Sequence, residues 1–122
     1  MKIKIVTEST ETLAELNNTK TASAVSEALP FESIAHRWGE EVYFEIPLEF
    51  ETEDGKEVLE VGDIAYWPPG KSMCIFFGPT PSSKNDEVRA YSPVTVFGRI
   101  IEDARIFRNV KDGERIRVEI AD

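Results

Sequence analysis

Apolar and polar residues alternate strictly from residue 41 to residue 51, and this pattern indicates a β-strand with one buried face. The polar face is mostly glutamate. Residues 54–55 (Asp-Gly) then supply hairpin-turn chemistry, because both residue types tolerate positive φ. The alternation predicts that Phe44 and Ile46 are buried while Glu45 is exposed. The apolar face consists of Val42, Phe44, Ile46, Leu48 and Phe50.

Two further strands and one helix follow from shorter patterns. Residues 2–7 and 115–120 alternate in the same way, and Asp112-Gly113 provides a turn before the second of these strands. Apolar residues at helical spacing predict a helix over residues 18–29, with Thr19 or Thr21 as its cap and Pro30 at its end. Residues 102–110 favour a second, short helix.

The segment from Gly62 to Gly78 reads as two short strands joined by a tight turn. Its flanks are aromatic and aliphatic, and the central Pro68-Pro69-Gly70 cannot continue either strand. Residues 79–93 are rich in proline, serine and charge, so they predict a long surface loop.

These elements amount to about eight strands with one or two short helices, which indicates a mainly-β fold. A closed β-barrel is the expected architecture, because closure removes exposed strand edges. With 122 residues the chain forms one domain, residues 1–122, large enough to bury a core. No apolar run approaches the ~18 residues of a membrane span, and the N-terminus alternates like a strand. We therefore expect a cytoplasmic location and no membrane partner.

The net charge of −9 is concentrated in one segment. Residues 40–63 hold ten acids against a single base, Lys56. A nucleic-acid-binding surface needs positive charge against the phosphates, so nucleic acid is excluded as a partner. The acidic segment is either a solvated sheet face that discourages aggregation or a surface that attracts basic peptides or cations.

The residue inventory limits the available chemistry. His36 is the only histidine and Cys74 the only cysteine, so a metal site built from these residue types is not expected. His36 shares the strand register of Ile34 and Trp38, which predicts a buried, hydrogen-bonded imidazole. Cys74 lies in an apolar strand and is expected to be a small buried side chain. No phosphate-binding loop or dinucleotide fingerprint is present, so no cofactor is expected.

Several segments, in the correct order, resemble cyclophilins. The hairpin of residues 62–78 resembles the cyclophilin segment in which a strand ends in Met-Ala-Asn and the next in Phe-Phe. Residues 96–100 (Val-Phe-Gly-Arg-Ile) resemble the strand that follows it, and residues 18–29 resemble the first helix. Residues 30–31 (Pro-Phe) and 36–37 (His-Arg) resemble the cyclophilin Pro-Phe and Phe-His-Arg motifs. The chain looks most like the small prokaryotic cyclophilin-like family, whose activity is not established.

The resemblance implies a cyclophilin-like barrel and a site. Arg37 matches the arginine that stabilises the prolyl nitrogen during isomerisation, and is the candidate catalytic residue. Phe77 matches the second Phe of Phe-Phe, which lines the proline pocket, and Tyr66 matches the Met of Met-Ala-Asn. Tyr43 and Trp67 are further ligand-binding candidates on the basis of the residues alone, as nearby aromatic side chains.

The departures from cyclophilins decide between functions. The backbone-binding Gln and its Gly-Gly are replaced by residues 43–45 (Tyr-Phe-Glu), the Asn is Pro68, and the pocket His is Val94. Pro68 has no N–H to donate to a substrate. We therefore expect a barrel that binds a peptide, proline-containing or basic, or a small ligand, with weak or no prolyl isomerase activity. The alternatives are a true peptidyl-prolyl cis-trans isomerase using Arg37 and an apolar pocket, and an interaction domain without a pocket.

Overall fold

A computed structural model describes all residues, 1–122, and shows a mainly-β architecture with one α-helix. All strand pairs are antiparallel. No helix is both long enough and apolar enough to span a membrane. The strands are β1 Lys2–Thr7, β2 Glu11–Leu16, β3 Phe31–Ile34, β4 His36–Arg37, β5 Glu41–Glu45, β6 Lys56–Leu59, β7 Asp63–Trp67, β8 Ser72–Phe76, β9 Val88–Ile100 and β10 Arg115–Ile120; the helix α1 is Lys20–Ala28, and two 3-10 helices cover Pro68–Gly70 and Ala104–Asn109.

The predicted closed barrel of about eight strands is wrong in two respects. The sheet has ten strands, and its ladder is an open path in the order β3-β10-β1-β2-β9-β7-β8-β5-β4, with β6 paired to β9. The two ends of this path, β3 and β4, are consecutive in the chain and separated only by Ala35. At this residue the chain passes from β3, which pairs with β10, to β4, which pairs with β5. The two ends of the sheet are therefore joined covalently through the chain, without backbone hydrogen bonds between β3 and β4 that would close a barrel.

The alternation around residue 44 gives the predicted burial but a shorter strand. Phe44 and Ile46 are almost fully buried and Glu45 is exposed, as predicted. The strand ends at Glu45 because Pro47 has no N–H for a further ladder bond. The backbone N–H of Ile46 still bonds to the Lys71 carbonyl, 2.9 Å away, before the chain leaves the sheet.

Helix α1 is confirmed, but it covers Lys20–Ala28 and is shorter than the predicted 18–29, with Thr19 as its cap. Two side-chain acceptors hold its N-terminus. The Thr19 hydroxyl accepts a hydrogen bond from the Ala22 N–H at 3.0 Å, which caps the helix. The Glu53 carboxylate accepts from the backbone N–H groups of Lys20 and Thr21 at 3.1 and 2.9 Å. These bonds, Thr21 first, lower the pKa of Glu53. One of the acids of the 40–63 segment therefore has a structural function at a helix N-terminus.

The hairpin over residues 62–78 is confirmed, whereas the loop predicted for residues 79–93 is too long. Strand β9 already begins at Val88 and runs for 13 residues. Its first half pairs with β6, and its second half pairs with β7 and β2. The register with β7 shifts between Ile64 and Ala65, which is typical of a bulge that bends a strand. The first half of β9 can therefore lie over one face of the sheet.

Two apolar clusters lie on opposite faces of the central strands. The main core contains 23 buried residues, and a second cluster contains 7, including Ala65, Cys74 and Phe76. Strand β8 contributes Met73 and Ile75 to the main core and Cys74 and Phe76 to the second cluster. Successive strand residues point to opposite faces, so this part of the sheet is covered on both sides. We call the face of the second cluster the outer face.

Gly98 allows the close approach of β9 to β2. A Cβ at this position would lie 2.7 Å from the backbone carbonyl oxygen of Glu15. We expect Gly98→Ala to lower the free energy of unfolding by about 1–3 kcal/mol, because two paired backbones would have to separate. Urea denaturation measures the loss. The neighbouring exposed variant Arg99→Ala is the control and should stay within about 0.5 kcal/mol of the parent; equal losses in both variants would contradict the steric argument.

Candidate functional site

A pocket with a volume of about 190 Å³ opens on the outer face, between the central strands and the first half of β9. Eight of its nine lining residues are hydrophobic, and the ninth is a glutamate. We call it the outer pocket. Its lining residues are Trp38, Glu41, Tyr43, Trp67, Cys74, Phe76, Ala90, Tyr91 and Val94.

Strand register positions the floor of the outer pocket. Tyr43 pairs with Cys74, which in turn pairs with Ala65, so these side chains form one row across β5, β8 and β7. Glu41 and Phe76 form the adjacent row. The row through Cys74 and Ala65 has small side chains, and this leaves space beneath the larger aromatic rings.

Three aromatic rings enclose one side of the pocket. The Tyr91 ring lies 6.0 Å from each of the Trp38 and Trp67 rings, at interplanar angles of 75° and 86°. Such edge-to-face contacts are favourable and hold the Tyr91 ring steeply inclined to both tryptophan rings. The Trp67 indole N–H donates to the Ser92 hydroxyl at 2.6 Å, which anchors it further. Tyr91 is nevertheless 71% exposed, so it forms the solvent-facing wall.

Glu41 is the only carboxylic acid in the lining and is only 6% exposed. Burial raises its pKa to about 7, and a contact with the Cys74 thiol offsets part of that effect. No basic side chain lines the pocket to compensate the carboxylate. Burial also raises the pKa of Cys74, and the adjacent Glu41 adds to the shift, so the sulfur is held as a thiol and not as a nucleophilic thiolate.

Arg37 points to the other face of the sheet. It pairs across the strands with Val42, which lies in the main core, whereas Tyr43 faces the outer pocket. Its guanidinium donates to the carbonyl oxygens of Gly39, Arg108 and Val110 and to the Glu40 carboxylate, at 2.9–3.2 Å. The guanidinium therefore joins the turn after β4 to the end of the second 3-10 helix.

The predicted site residues separate into two groups. Tyr43 and Trp67 line the outer pocket. Tyr66 and Phe77 are almost fully buried in the main core, where the Tyr66 hydroxyl donates to the Leu48 carbonyl at 2.6 Å. Phe77 packs under Arg37, whose guanidinium carbon lies 5.1 Å from the ring centroid. The structure thus brings Arg37 and Phe77 together, but away from the pocket that Tyr43 and Trp67 share.

Sequence reasoning missed Glu41, Phe76 and Tyr91 as pocket residues. Glu41 shares the face of Tyr43 by simple alternation, and Phe76 shares the face of Cys74, so strand parity was an available signal. Tyr91 was hidden because its segment was interpreted as a loop. No group of three or more His, Cys, Asp or Glu side chains is placed to hold a metal ion.

His36 is not buried, contrary to the prediction. Its side chain is 45% exposed, with Nδ1 3.5 Å from an Asp112 carboxylate oxygen and its ring 5.3 Å from the Tyr43 ring. The physical reason is its position on β4, a two-residue strand at the end of the sheet whose residues are only half-buried.

Comparison with known proteins places this architecture in a family. A model described as cyclophilin-like matches residues 1–119. The chain belongs to the cyclophilin-like family. Its fold is similar to the solution structure of a hypothetical protein from Archaeoglobus fulgidus, with 43% sequence identity and a TM-score of 0.85 over 99% of this chain and 95% of that one. The comparison with curated proteins gave no match.

In this cyclophilin-like protein, Arg37→Ala should act on stability. Removing the guanidinium leaves three carbonyls, of which that of Val110 is partly buried, and the partly buried Glu40 carboxylate without this donor. We therefore expect the free energy of unfolding to fall by about 1.5–3 kcal/mol. Arg37→Lys should restore only part of this loss, because an ammonium lacks the planar fork. Urea denaturation is the measurement. The exposed Arg115→Ala is the matched control, and an unchanged stability of Arg37→Ala would refute a structural function for this side chain.

The buried carboxyl of Glu41 should make stability depend on pH. Its folded pKa of about 7 lies above the ordinary 4.5, so the folded state binds the proton more tightly and loses stability as pH rises through this interval. We expect Glu41→Gln, which is neutral throughout, to gain about 2–4 kcal/mol on the parent between pH 4.5 and pH 7. Urea denaturation at several pH values gives the difference.

The control for this experiment is Glu45→Gln, which removes the same charge from an exposed position of the same strand. Its stability difference from the parent should stay small at every pH. A gain for Glu41→Gln that does not change with pH would contradict the assignment of the titration to Glu41.

Proposed function

We propose that this chain is a small-ligand-binding domain whose site is the outer pocket, and that it catalyses prolyl isomerisation weakly or not at all. The outer pocket itself carries the proposal: it is a concave, largely apolar cavity with one charged side chain. Ligand sites are typically such cavities, in which apolar walls supply affinity and a few polar groups fix the orientation.

The chemistry of the lining favours binding over covalent catalysis. The strongest potential nucleophile in the lining is the Cys74 thiol, which is buried and whose pKa is raised. The remaining lining groups are aromatic or aliphatic apart from Glu41. Aromatic walls supply large contact areas with little loss of conformational freedom, which suits recognition of a compact ligand.

The position of Arg37 argues against efficient isomerisation. Catalysis of amide rotation needs a donor that reaches the prolyl nitrogen and binds the twisted amide better than the planar forms. The Arg37 guanidinium already donates five hydrogen bonds within the protein and lies on the face opposite Tyr43. A prolyl isomerase that uses Arg37 is the second candidate, because Arg37 and Phe77, which match the cyclophilin arginine and pocket phenylalanine, lie together, with the guanidinium carbon 5.1 Å from the ring centroid.

The charge distribution bears on the partner. A net charge of −9 is unfavourable for nucleic acid and favourable for cationic ligands or basic peptides. A proline-containing or basic peptide therefore stays a possible partner under this proposal, alongside a small ligand. A cytoplasmic location also stays a prediction.

Ligand binding is tested by amide NMR shifts in the presence of small organic probes, phenol and N-acetylproline methylamide. We expect shifts to concentrate at the outer pocket, around Tyr43, Ala90 and Tyr91, because apolar probes collect where apolar surface is concave. Ala90→Leu should abolish them by filling the cavity. Ala121→Leu adds the same bulk near the exposed C-terminus and should leave them unchanged. Shifts scattered over the surface would count against the proposal.

Catalysis is tested by NMR exchange spectroscopy on an Ala-Pro tetrapeptide. We expect the cis-trans exchange rate to be close to the uncatalysed rate with the parent protein and with Arg37→Ala alike, since no free donor faces the pocket. An acceleration typical of cyclophilins that disappears in Arg37→Ala would establish the isomerase alternative instead.

A further inference from the structure

We propose that the outer pocket binds a small organic ammonium ion with alkyl groups on nitrogen, which the aromatic walls contact through cation–π interactions and the Glu41 carboxylate neutralises. This inference rests on the proposed function, because it names the ligand class of the same site.

The aromatic lining has the composition that an organic cation requires. Tryptophan binds a cation over its face more strongly than tyrosine or phenylalanine does, and the outer pocket has two tryptophans, Trp38 and Trp67. Tyr91 stands nearly perpendicular to both, so the three rings form adjoining walls and do not stack on one another. Walls at right angles offer contact to a roughly spherical group from more than one side, which suits a methylated ammonium.

Glu41 supplies the charge that such a ligand needs. A buried carboxylate without a basic partner is unfavourable, and no lysine or arginine lines this pocket. The other titratable lining groups are Tyr43 on β5, Cys74 on β8 and Tyr91 on β9, none of which can carry positive charge. His36 on β4 contacts Tyr43 from outside the pocket and faces the Asp112 carboxylate. A bound cation would therefore be the counter-ion that the protein itself does not provide.

The charges next to the pocket are already paired. Glu40 follows Trp38 in the turn, and its carboxylate accepts from Arg37 and Arg108 at 3.2 and 2.7 Å. The acid that faces the cavity and lacks a basic partner is thus Glu41. The proposed site therefore differs from the rest of the acidic 40–63 segment. The exposed carboxylates of that segment attract any cation weakly, because solvent and salt screen them.

Size and hydrogen-bonding capacity select an alkylated ammonium over other cations. A volume of about 190 Å³ is close to that of a ~150 Å³ protein cavity that binds benzene, and it suits a trimethylammonium group. A primary ammonium or a guanidinium carries several N–H donors. The lining is mostly apolar and offers few acceptors besides Glu41, so such donors would be left unsatisfied. An alkylated ammonium has few or no N–H groups to satisfy.

The surrounding strands favour a free small molecule over a peptide segment. An extended peptide commonly binds by adding a strand to a free sheet edge. Here β5 pairs with β4 and β8, and β7 pairs with β8 and β9, so the three strands that form the floor of the pocket, β5, β8 and β7, have no free edge. A ligand that lies on this floor therefore derives its affinity from the cavity itself.

Choline and its neutral isostere 3,3-dimethylbutan-1-ol form a matched pair that differs in charge and hardly in shape. Tryptophan fluorescence and isothermal titration calorimetry at pH 8 measure both affinities. We expect choline to bind at least tenfold more tightly than the alcohol, a ratio that corresponds to about 1.4 kcal/mol. The ratio should shrink at pH 5.5, and choline binding near pH 7 should release a proton, seen by comparing buffers of different ionisation enthalpy.

Variants assign the effect to Glu41. Glu41→Gln should reduce the choline-to-alcohol ratio to about that of the parent at pH 5.5, abolish proton release, and leave alcohol binding intact, which also shows that the variant is folded. Glu45→Gln removes the same charge from the exposed part of β5 and should change neither ligand's affinity by more than about twofold. Tyr91→Leu should weaken choline more than the alcohol, because it removes an aromatic face but keeps an apolar wall.

Other results of these titrations would contradict the ammonium inference, the proposed function or both. Equal affinities for choline and the alcohol, or no binding of either while phenol still shifts the pocket residues, would overturn the ammonium inference and leave the proposed function standing. Failure of every probe to reach the pocket would overturn both. A trimethyllysine peptide that binds more than tenfold tighter than choline would show that the ammonium belongs to a protein partner, and would refute a free small ligand.

Discussion

Burial of the central strands on both faces is the constraint on which the rest of this structure depends. In β8 every residue is buried, with Met73 and Ile75 on one side and Cys74 and Phe76 on the other. A strand in this position cannot shift its register by one residue without exchanging the two sets. The main core, the second cluster and the outer pocket are therefore fixed together by one alternation.

Covering the outer face determines where the pocket lies. The first half of β9 leaves the main path of the sheet to pair with β6, and it brings Ala90, Tyr91 and Val94 over β8. Small side chains at Ala65 and Cys74 keep the two layers from filling the space between them, while Trp67 and Tyr91 close one side. Glu41 is then buried as a consequence of register, because its strand parity places it beside Phe76 beneath this cover. Retaining an acid at such a position costs stability, which is an argument that the acid has a function there.

Local signals were sufficient for the elements but not for their assembly. Alternation around Phe44, the Thr19 cap and the Pro68–Gly70 turn are determined by neighbours in sequence, and each was correct. The sheet does not close into a barrel because the chain changes its partner strand at Ala35, between β3 and β4. No pattern of neighbouring residues predicts this change. The beginning of β9 was missed because a strand rich in polar residues gains its stability from pairing with β6, and that contact is distant in sequence.

The candidate site, too, could be predicted only in part from the sequence, because the partners of its side chains are distant along the chain. The resemblance to cyclophilins correctly indicated that Arg37 and Phe77 lie together, yet the guanidinium bonds to carbonyls at the end of the second 3-10 helix, some 70 residues further along the chain. Only the folded structure could reveal that these donors are already used. Tyr43, one position after the cross-strand partner of Arg37, faces the opposite side of the sheet, so Arg37 and the aromatic pocket lie on different faces. Membership of the cyclophilin-like family therefore accounts for the scaffold, and the hydrogen bonds of Arg37 are those of a structural side chain. The chemistry of this chain is to be sought on the outer face, where the buried carboxyl of Glu41 has no basic side chain beside it.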